Sequence, residues 1–179
     1  MEVKSLLMFG KLITAMITPF DNNNQINYQK ASEMAEYLID NGSQGVVLAG
    51  TTGESPTLTL PEKLELFKAV KSKVGDRAKV IAGTGSNSTD LSIELSMKAA
   101  EIGVDGIMLV TPYYNKPSQK GLKEHFKVIA ESVPNIPVML YNVPGRTGAN
   151  ILAETVIELS NTANIVAVKA QFDEAVSQQ

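Results

Sequence analysis

Ile165-Val166-Ala167-Val168-Lys169 sets four apolar residues in a row and ends them on a lysine. A short run without polar alternation is what a strand covered on both faces requires, as parallel strands packed between helices do. Five more runs read the same way: Leu12 to Ile17, Val46 to Ala49, Val80 to Ala82, Ile107 to Val110 and Val138 to Leu140. Between them the period becomes helical. Ala31, Met34, Ala35, Leu38 and Ile39 share one face, and so do Leu64, Phe67, Val70 and Val74. Thr59 and Glu62 have the spacing of a capping box with Pro61 in the first turn, and Asn41-Gly42, Gly75 and Gly103 supply helix stops.

Strand starts recur every ~27 to 34 residues, the size of one right-handed strand–helix unit, so the expected fold is α/β with six such units in a row. Two architectures use that unit, an open doubly wound sheet and a closed eight-stranded barrel. A closed barrel typically takes about 250 residues, so the length of 179 favours the open sheet. The loops favour the barrel. Thr18-Pro19, Thr51-Thr52-Gly53-Glu54, Thr84-Gly85-Ser86-Asn87, Thr111-Pro112-Tyr113-Tyr114 and Tyr141-Asn142-Val143-Pro144 follow the first five strands in turn, and Lys169 ends the sixth. An open sheet gathers ligand at one switch point, whereas a barrel brings every strand end to one mouth.

Composition removes whole classes of chemistry. There is no cysteine, so disulfides, iron–sulfur clusters and thiol catalysis are excluded. His125 is the only histidine, which excludes multi-histidine metal sites, and its place in a helical stretch makes it a solvated or packing residue. Sixteen basic against nineteen acidic side chains leave a net charge of −3, with no broad positive face for nucleic acid or membrane lipid. No apolar run approaches the roughly 20 residues of a membrane span, the start reads without a secretion signal, and a cytoplasmic setting is expected.

Lys169 stands apart from the other thirteen lysines, which read as lying in the tail, on helices, in loops or at strand beginnings, with stems free to reach water. At the inner end of a buried strand, desolvation lowers the pKa of an ammonium and makes the amine a nucleophile able to form an imine with a carbonyl. Snorkelling or pairing with a carboxylate is the alternative. Tyr141, at the end of the preceding strand, reads as a proton relay or as a packed aromatic. The Gly50-Thr51-Thr52-Gly53 loop reads as a carboxylate cradle or a plain tight turn. Gly83-Thr84-Gly85-Ser86 lacks the third glycine of a dinucleotide loop and reads as a close-packed strand–helix turn.

Taken in order, Gly50-Thr51-Thr52-Gly53-Glu54-Ser55, Ala82-Gly83-Thr84-Gly85, Val110-Thr111-Pro112-Tyr113-Tyr114-Asn115-Lys116-Pro117, Leu140-Tyr141-Asn142-Val143-Pro144-Gly145-Arg146-Thr147-Gly148 and Val168-Lys169 closely resemble the dihydrodipicolinate synthase family. The resemblance runs from about Phe9 to Lys169. It implies a TIM (β/α)8 barrel truncated here to about six units, with a segment 1–8 before the catalytic part (9–169) and an unmatched tail, 170–179. It also implies a lyase of lysine and diaminopimelate biosynthesis that condenses pyruvate with L-aspartate 4-semialdehyde through a covalent imine and needs no cofactor or metal.

Residue by residue, the resemblance makes Lys169 the imine former and Tyr141, Thr51 and Tyr114 the proton relay. Tyr114 would reach into an adjacent subunit of a homotetramer built as a dimer of dimers. Thr52 and Gly53 would hold the pyruvate carboxylate, and Arg146 that of the semialdehyde. Arg146 also separates this reading from N-acetylneuraminate lyases and related pyruvate-dependent aldolases. A non-catalytic fragment is the rival from another class. Family members that bind lysine between subunits do so through histidines and a glutamate; here those places hold Leu60, Lys63 and Leu91, while Ser55, Asn87 and Tyr113 match, so weak or absent lysine inhibition is expected. After the lysine the family places an acidic residue and a small-residue turn, whereas this chain continues Ala170-Gln171.

Overall fold

The computed structural model describes residues 8–171. Six strands alternate with helices: β1 Ile13–Ala15, α1 Tyr28–Asp40, β2 Gly45–Leu48, α2 Leu60–Val74, β3 Lys79–Gly83, α3 Thr89–Ile102, β4 Gly106–Val110, α4 Gln119–Ser132, β5 Val138–Asn142, α5 Pro144–Thr147, α6 Ala153–Leu159 and β6 Ile165–Ala170. The expected segment 1–8 and tail 170–179 lie almost wholly outside the described residues.

The chain divides into two compact units. The first comprises residues up to Gly83 together with Lys98–Ile107, and holds β1, α1, β2, α2 and β3. Its strands pair in parallel, Ile13 with Gly45 and Gly45 with Lys79. Val46, Leu48, Val80, Ile81 and Ala82 are fully enclosed, as double-sided cover demands. Phe67, Val70 and Val74 of α2 are buried as expected, but Leu66 rather than Leu64 completes that face. Asn27 caps α1 by accepting from the Lys30 N–H. Thr59 and Glu62 form the capping box reciprocally, and Gly75 ends α2 at φ 59°. Asp105 ties the unit's lower rim together. Its carboxylate accepts from the Lys71 ammonium at 2.7 Å and from the Val80 N–H at 3.0 Å, with Lys79 at 3.3 Å. Burial works to raise its pKa, but these bonds and the two ammonium charges hold it below the usual value.

β1 departs from the expectation of a strand covered on both faces. It is only three residues long and half-buried throughout, and Leu12 and Ile17 at its ends are about half exposed. β6 is likewise only partly covered, with Val168 43% exposed. Each pairs with a neighbour on one side only in its own unit, β1 with β2 and β6 with β5, which leaves part of the side-chain surface without cover.

The second unit comprises Thr84–Met97 and the residues from Met108 onward. Phe126, Leu122 and Ile129 of α4 are buried in its core with Leu140 of β5 and Leu159 of α6. Ser118 caps α4 through the Gly121 N–H. Asn164, just before β6, donates to the carbonyls of Ala130, Val133 and Ile136 at 3.0 to 3.1 Å and so closes the exit of α4. His125 is a packing residue, 7% exposed, with Nδ1 2.9 Å from the Thr89 hydroxyl and an edge-on contact to Phe126. The Gly85 backbone lies against β4: a Cβ there would stand 2.8 Å from the Leu109 Cα. That close approach explains the glycine without any nucleotide.

Candidate active site

β5 and β6 run in parallel with an irregularity in register. Val138 faces Ile165, but Met139 faces Ala167, so Val166 is an extra residue on the β6 side. The next partners are Leu140 with Val168, Tyr141 with Lys169 and Asn142 with Ala170. Without the bulge Tyr141 would face Val168, and Lys169 would turn to the opposite side of the sheet. The bulge therefore sets the lysine and the tyrosine side by side. Lys169 stands at the end of β6 as expected, one residue before its last, and β5 runs on past the apolar run through Tyr141 to Asn142.

The Lys169 Nζ sits 4.5 Å from the centroid of the Tyr141 ring. Tyr141 is 3% exposed and Lys169 is half-buried. Burial lowers the lysine pKa from its ordinary value. Among the described residues no carboxylate pairs with it, so the alternative of a salt-bridged lysine does not apply there. The ring face favours the charged form by about 0.5 to 2 kcal/mol, a pull opposed to that of burial. Tyr141 is fixed at its backbone: its carbonyl accepts from both the N–H and the hydroxyl of Thr111 at 3.0 Å. Its own hydroxyl donates to the Gln171 Oε1 at 3.4 Å. Gln171 escaped the sequence reading; the only signal was its place two residues after the lysine.

Lys169 is not alone in its desolvation. Lys63 on α2 is also half-buried with a pKa lowered by burial, contrary to the expectation that the other lysines reach water. It lies on a helix, far in sequence from any strand end.

In the same unit, the loop after β5 carries Arg146 on the short helix α5, exposed at its surface. Asn142 steers that loop. Its Nδ2 donates to the Asn150 Oδ1 at 2.8 Å and its Oδ1 accepts from the Ile151 N–H at 3.1 Å. Tyr114, 89% exposed, holds a left-handed backbone at φ 71°, and Lys116 follows at φ 47°. Such conformations cost a non-glycine residue of order 1 kcal/mol or more and persist only where neighbours enforce them. Here the Tyr114 N–H donates to the Thr147 carbonyl at 3.3 Å, and the Asn115 side chain to the Asn87 carbonyl at 3.0 Å.

Thr51, Thr52 and Gly53 belong to the first unit. Ala49, at φ 48°, turns the chain out of β2, and Thr51 and Thr52 are exposed on the loop that follows. The N–H groups of Gly53 and Ser55 donate to the Gly50 carbonyl, and that of Glu54 to the Thr51 carbonyl. Those three donors serve the turn itself, so an anion would have to be met by the threonines. Buried Thr18, from the loop after β1, pins the turn by donating to the Gly53 carbonyl at 2.7 Å. Arg77, the other arginine, is engaged with Glu36 at 2.9 Å and Asp40 at 3.3 Å.

Among the described residues no group of three or more His, Cys, Asp or Glu could hold a metal, and no helix is long and apolar enough to cross a membrane.

A sequence model of the dihydrodipicolinate synthetase family matches residues 8–178. The 4-hydroxy-tetrahydrodipicolinate synthases of Thermosynechococcus vestitus and Heliobacterium modesticaldum are each 58% identical over 161 residues, covering 90% of this chain and 54% and 53% of theirs. The chain thus spans about half the length of the curated relatives it matches. A dihydrodipicolinate synthase structure from Bacillus anthracis aligns with TM-score 0.88 and 58% identity over 90% of this chain and 55% of that one. The enzyme from Cyanidioschyzon merolae, solved with lysine bound, aligns with TM-score 0.91 and 49% identity over 96% and 58%. The likeness gives the fold class as α/β of the TIM-barrel family, with six strands and the helices that connect them among the described residues.

Proposed function

The chain belongs to the dihydrodipicolinate synthetase family, and from that membership we propose that it carries the imine-forming part of a 4-hydroxy-tetrahydrodipicolinate synthase, a lyase of lysine and diaminopimelate biosynthesis. The observation that carries this reading is Lys169: half-buried, its pKa lowered by burial, its Nζ over the ring of Tyr141.

In this reading the unprotonated Lys169 amine adds to the keto carbon of pyruvate. The carbonyl oxygen takes up a proton and the nitrogen gives one up to form the neutral carbinolamine; a second proton delivered to its hydroxyl lets that group leave as water, and the nitrogen lone pair closes the C=N bond of a protonated imine. The imine's charge lets the pyruvate methyl group release a proton, and the resulting enamine carbon attacks the aldehyde of L-aspartate 4-semialdehyde, whose oxygen is protonated in turn. Protons move at the hydroxyls of Tyr141, Thr51 and Tyr114. Thr52 holds the pyruvate carboxylate, and Gly53, whose N–H is engaged by the Gly50 carbonyl, shapes the turn that presents it. Arg146 receives that of the semialdehyde, for which a planar two-pronged donor is suited and for which Arg77, held by Glu36 and Asp40, is not. No cofactor is needed, because the imine supplies the electron sink. A second copy of the chain is the expected partner, with exposed Tyr114 shared between copies.

The test is reduction of the protein with borohydride in the presence of pyruvate, read by peptide mass spectrometry. A reduced pyruvate adduct on Lys169, lost in Lys169→Ala, is the expected result. Folded protein that forms no adduct would overturn this reading and favour a chain that keeps the motif without turnover.

A further inference from the structure

The β5–β6 ladder does not stop at Lys169. The Gln171 N–H donates to the Asn142 carbonyl at 3.0 Å, which carries the register one residue past the pairing of Asn142 with Ala170. Side chains alternate along a strand, so Lys169 and Gln171 point to one face and Ala170 to the other. Tyr141, the register partner of Lys169, shares the lysine's face. Its phenol is thereby approached twice, by the Lys169 nitrogen of β6 over its ring and by the amide oxygen of Gln171, the residue just past β6, at its hydroxyl.

A glutamine amide oxygen accepts from a phenol but does not take its proton at any pH of interest, so it directs the O–H without titrating. At 3.4 Å the bond is longer than the usual hydroxyl bond of about 2.7 to 2.8 Å, and a substrate oxygen presented to the phenol would compete with it easily. That is the behaviour wanted of a holding contact, one that orients a donor in the resting site and releases it when the substrate arrives.

Resting on the reading of Lys169 as the imine former and Tyr141 as a proton carrier, we propose that Gln171 is a positioning residue that holds the Tyr141 hydroxyl in line for proton transfer at the Lys169 amine. It acts through Tyr141 and touches no reacting atom.

The test uses the full chain labelled with 13Cζ-tyrosine, the Tyr141 signal being assigned by its loss in Tyr141→Phe. Gln171→Met keeps the length of the side chain and removes the acceptor. In it the Tyr141 signal is expected to move while the other tyrosine signals stay in place. Gln171→Glu, which keeps an acceptor oxygen at the same reach, is expected to return the signal toward its original position. With borohydride trapping as the clock, Gln171→Met should form the Lys169 adduct about tenfold more slowly at saturating pyruvate, with the half-saturating concentration unchanged.

An unmoved Tyr141 signal in Gln171→Met, or a slowing that comes wholly from a raised half-saturating concentration, overturns the proposal. If the unsubstituted chain forms no adduct while the signal still moves in Gln171→Met, the imine reading has failed and the positioning role with it, although the contact itself is real.

Discussion

Tyr141 and Lys169 face each other directly across the β5–β6 ladder, with the lysine Nζ 4.5 Å from the ring centroid. The ring and the hydroxyl do different things to the lysine. The ring excludes water from the amine and supports its charge; the hydroxyl can exchange protons. Tyr141→Phe separates them, because it keeps the buried ring. We expect the substituted protein to fold with little change in thermal midpoint and to form the Lys169 adduct about a hundredfold more slowly. Time-resolved borohydride trapping measures this, and unchanged kinetics would remove the hydroxyl from the mechanism.

Arg146 is exposed on α5, on a loop that Asn142 anchors from below. A surface arginine contributes little to stability, so Arg146→Ala should leave the fold and the pyruvate adduct unchanged. Loss of a charge-assisted contact should raise the semialdehyde concentration needed for half-maximal turnover by about ten- to a hundredfold. Initial rates at fixed pyruvate test it; unaltered semialdehyde dependence would return the carboxylate to another partner.

His125 predicts a pH dependence of stability unrelated to catalysis. Burial lowers its pKa from 6.5 to about 4, and its buried Nε2 has no hydrogen-bond partner. The unfolded chain therefore accepts a proton below pH ~6.5 that the folded chain refuses until about pH 4. Stability is unaffected by this residue above that window and falls as pH drops through it, by about 1 to 3 kcal/mol. His125→Asn retains a polar group near the position of Nδ1, which faces the Thr89 hydroxyl, and removes the titration. Thermal midpoints at pH 7 and pH 5 should lie closer together in His125→Asn than in the unsubstituted chain. Parallel shifts in the two proteins would exclude the histidine.

Gly85 tests the reading of the Thr84-Gly85-Ser86 turn as packing. The Thr84 and Gly85 N–H groups both donate to the Met108 carbonyl, at 3.1 and 3.2 Å, and the backbone of β4 occupies the space a side chain would need. Gly85→Ala should cost about 1 to 3 kcal/mol through displaced backbone, read as a lower denaturant midpoint. Stability equal to that of the unsubstituted chain would mean that the turn has slack the geometry does not show.

Much of this was legible in the residues. Short apolar runs separated by amphipathic stretches leave few options for burial, so the order of strands and helices followed from period alone. Thr59 with Glu62 and Gly75 mark helix ends because caps are local, settled within one turn of chain. The failures are equally physical. Strand ends ran past the apolar residues, since backbone hydrogen bonds do not depend on whether Tyr141, Asn142 or Lys169 is polar. Leu66 replaced Leu64 on the buried face of α2, and Lys63 lost part of its water, because burial depends on what packs against a helix and not on its own periodicity.

The linear sequence was enough to assign α/β units, to single out Lys169 and Tyr141, and to exclude thiol and multi-histidine chemistry, because these rest on composition, on local period and on motifs contiguous along the chain. Only tertiary structure decided that the two side chains meet. One extra residue in β6, Val166, shifts the register and turns Lys169 onto the face of Tyr141. Strand pairing joins residues 28 positions apart, and a single-residue slip reverses every side chain beyond it, a choice made by the packing of the two strands and written in no short stretch of either.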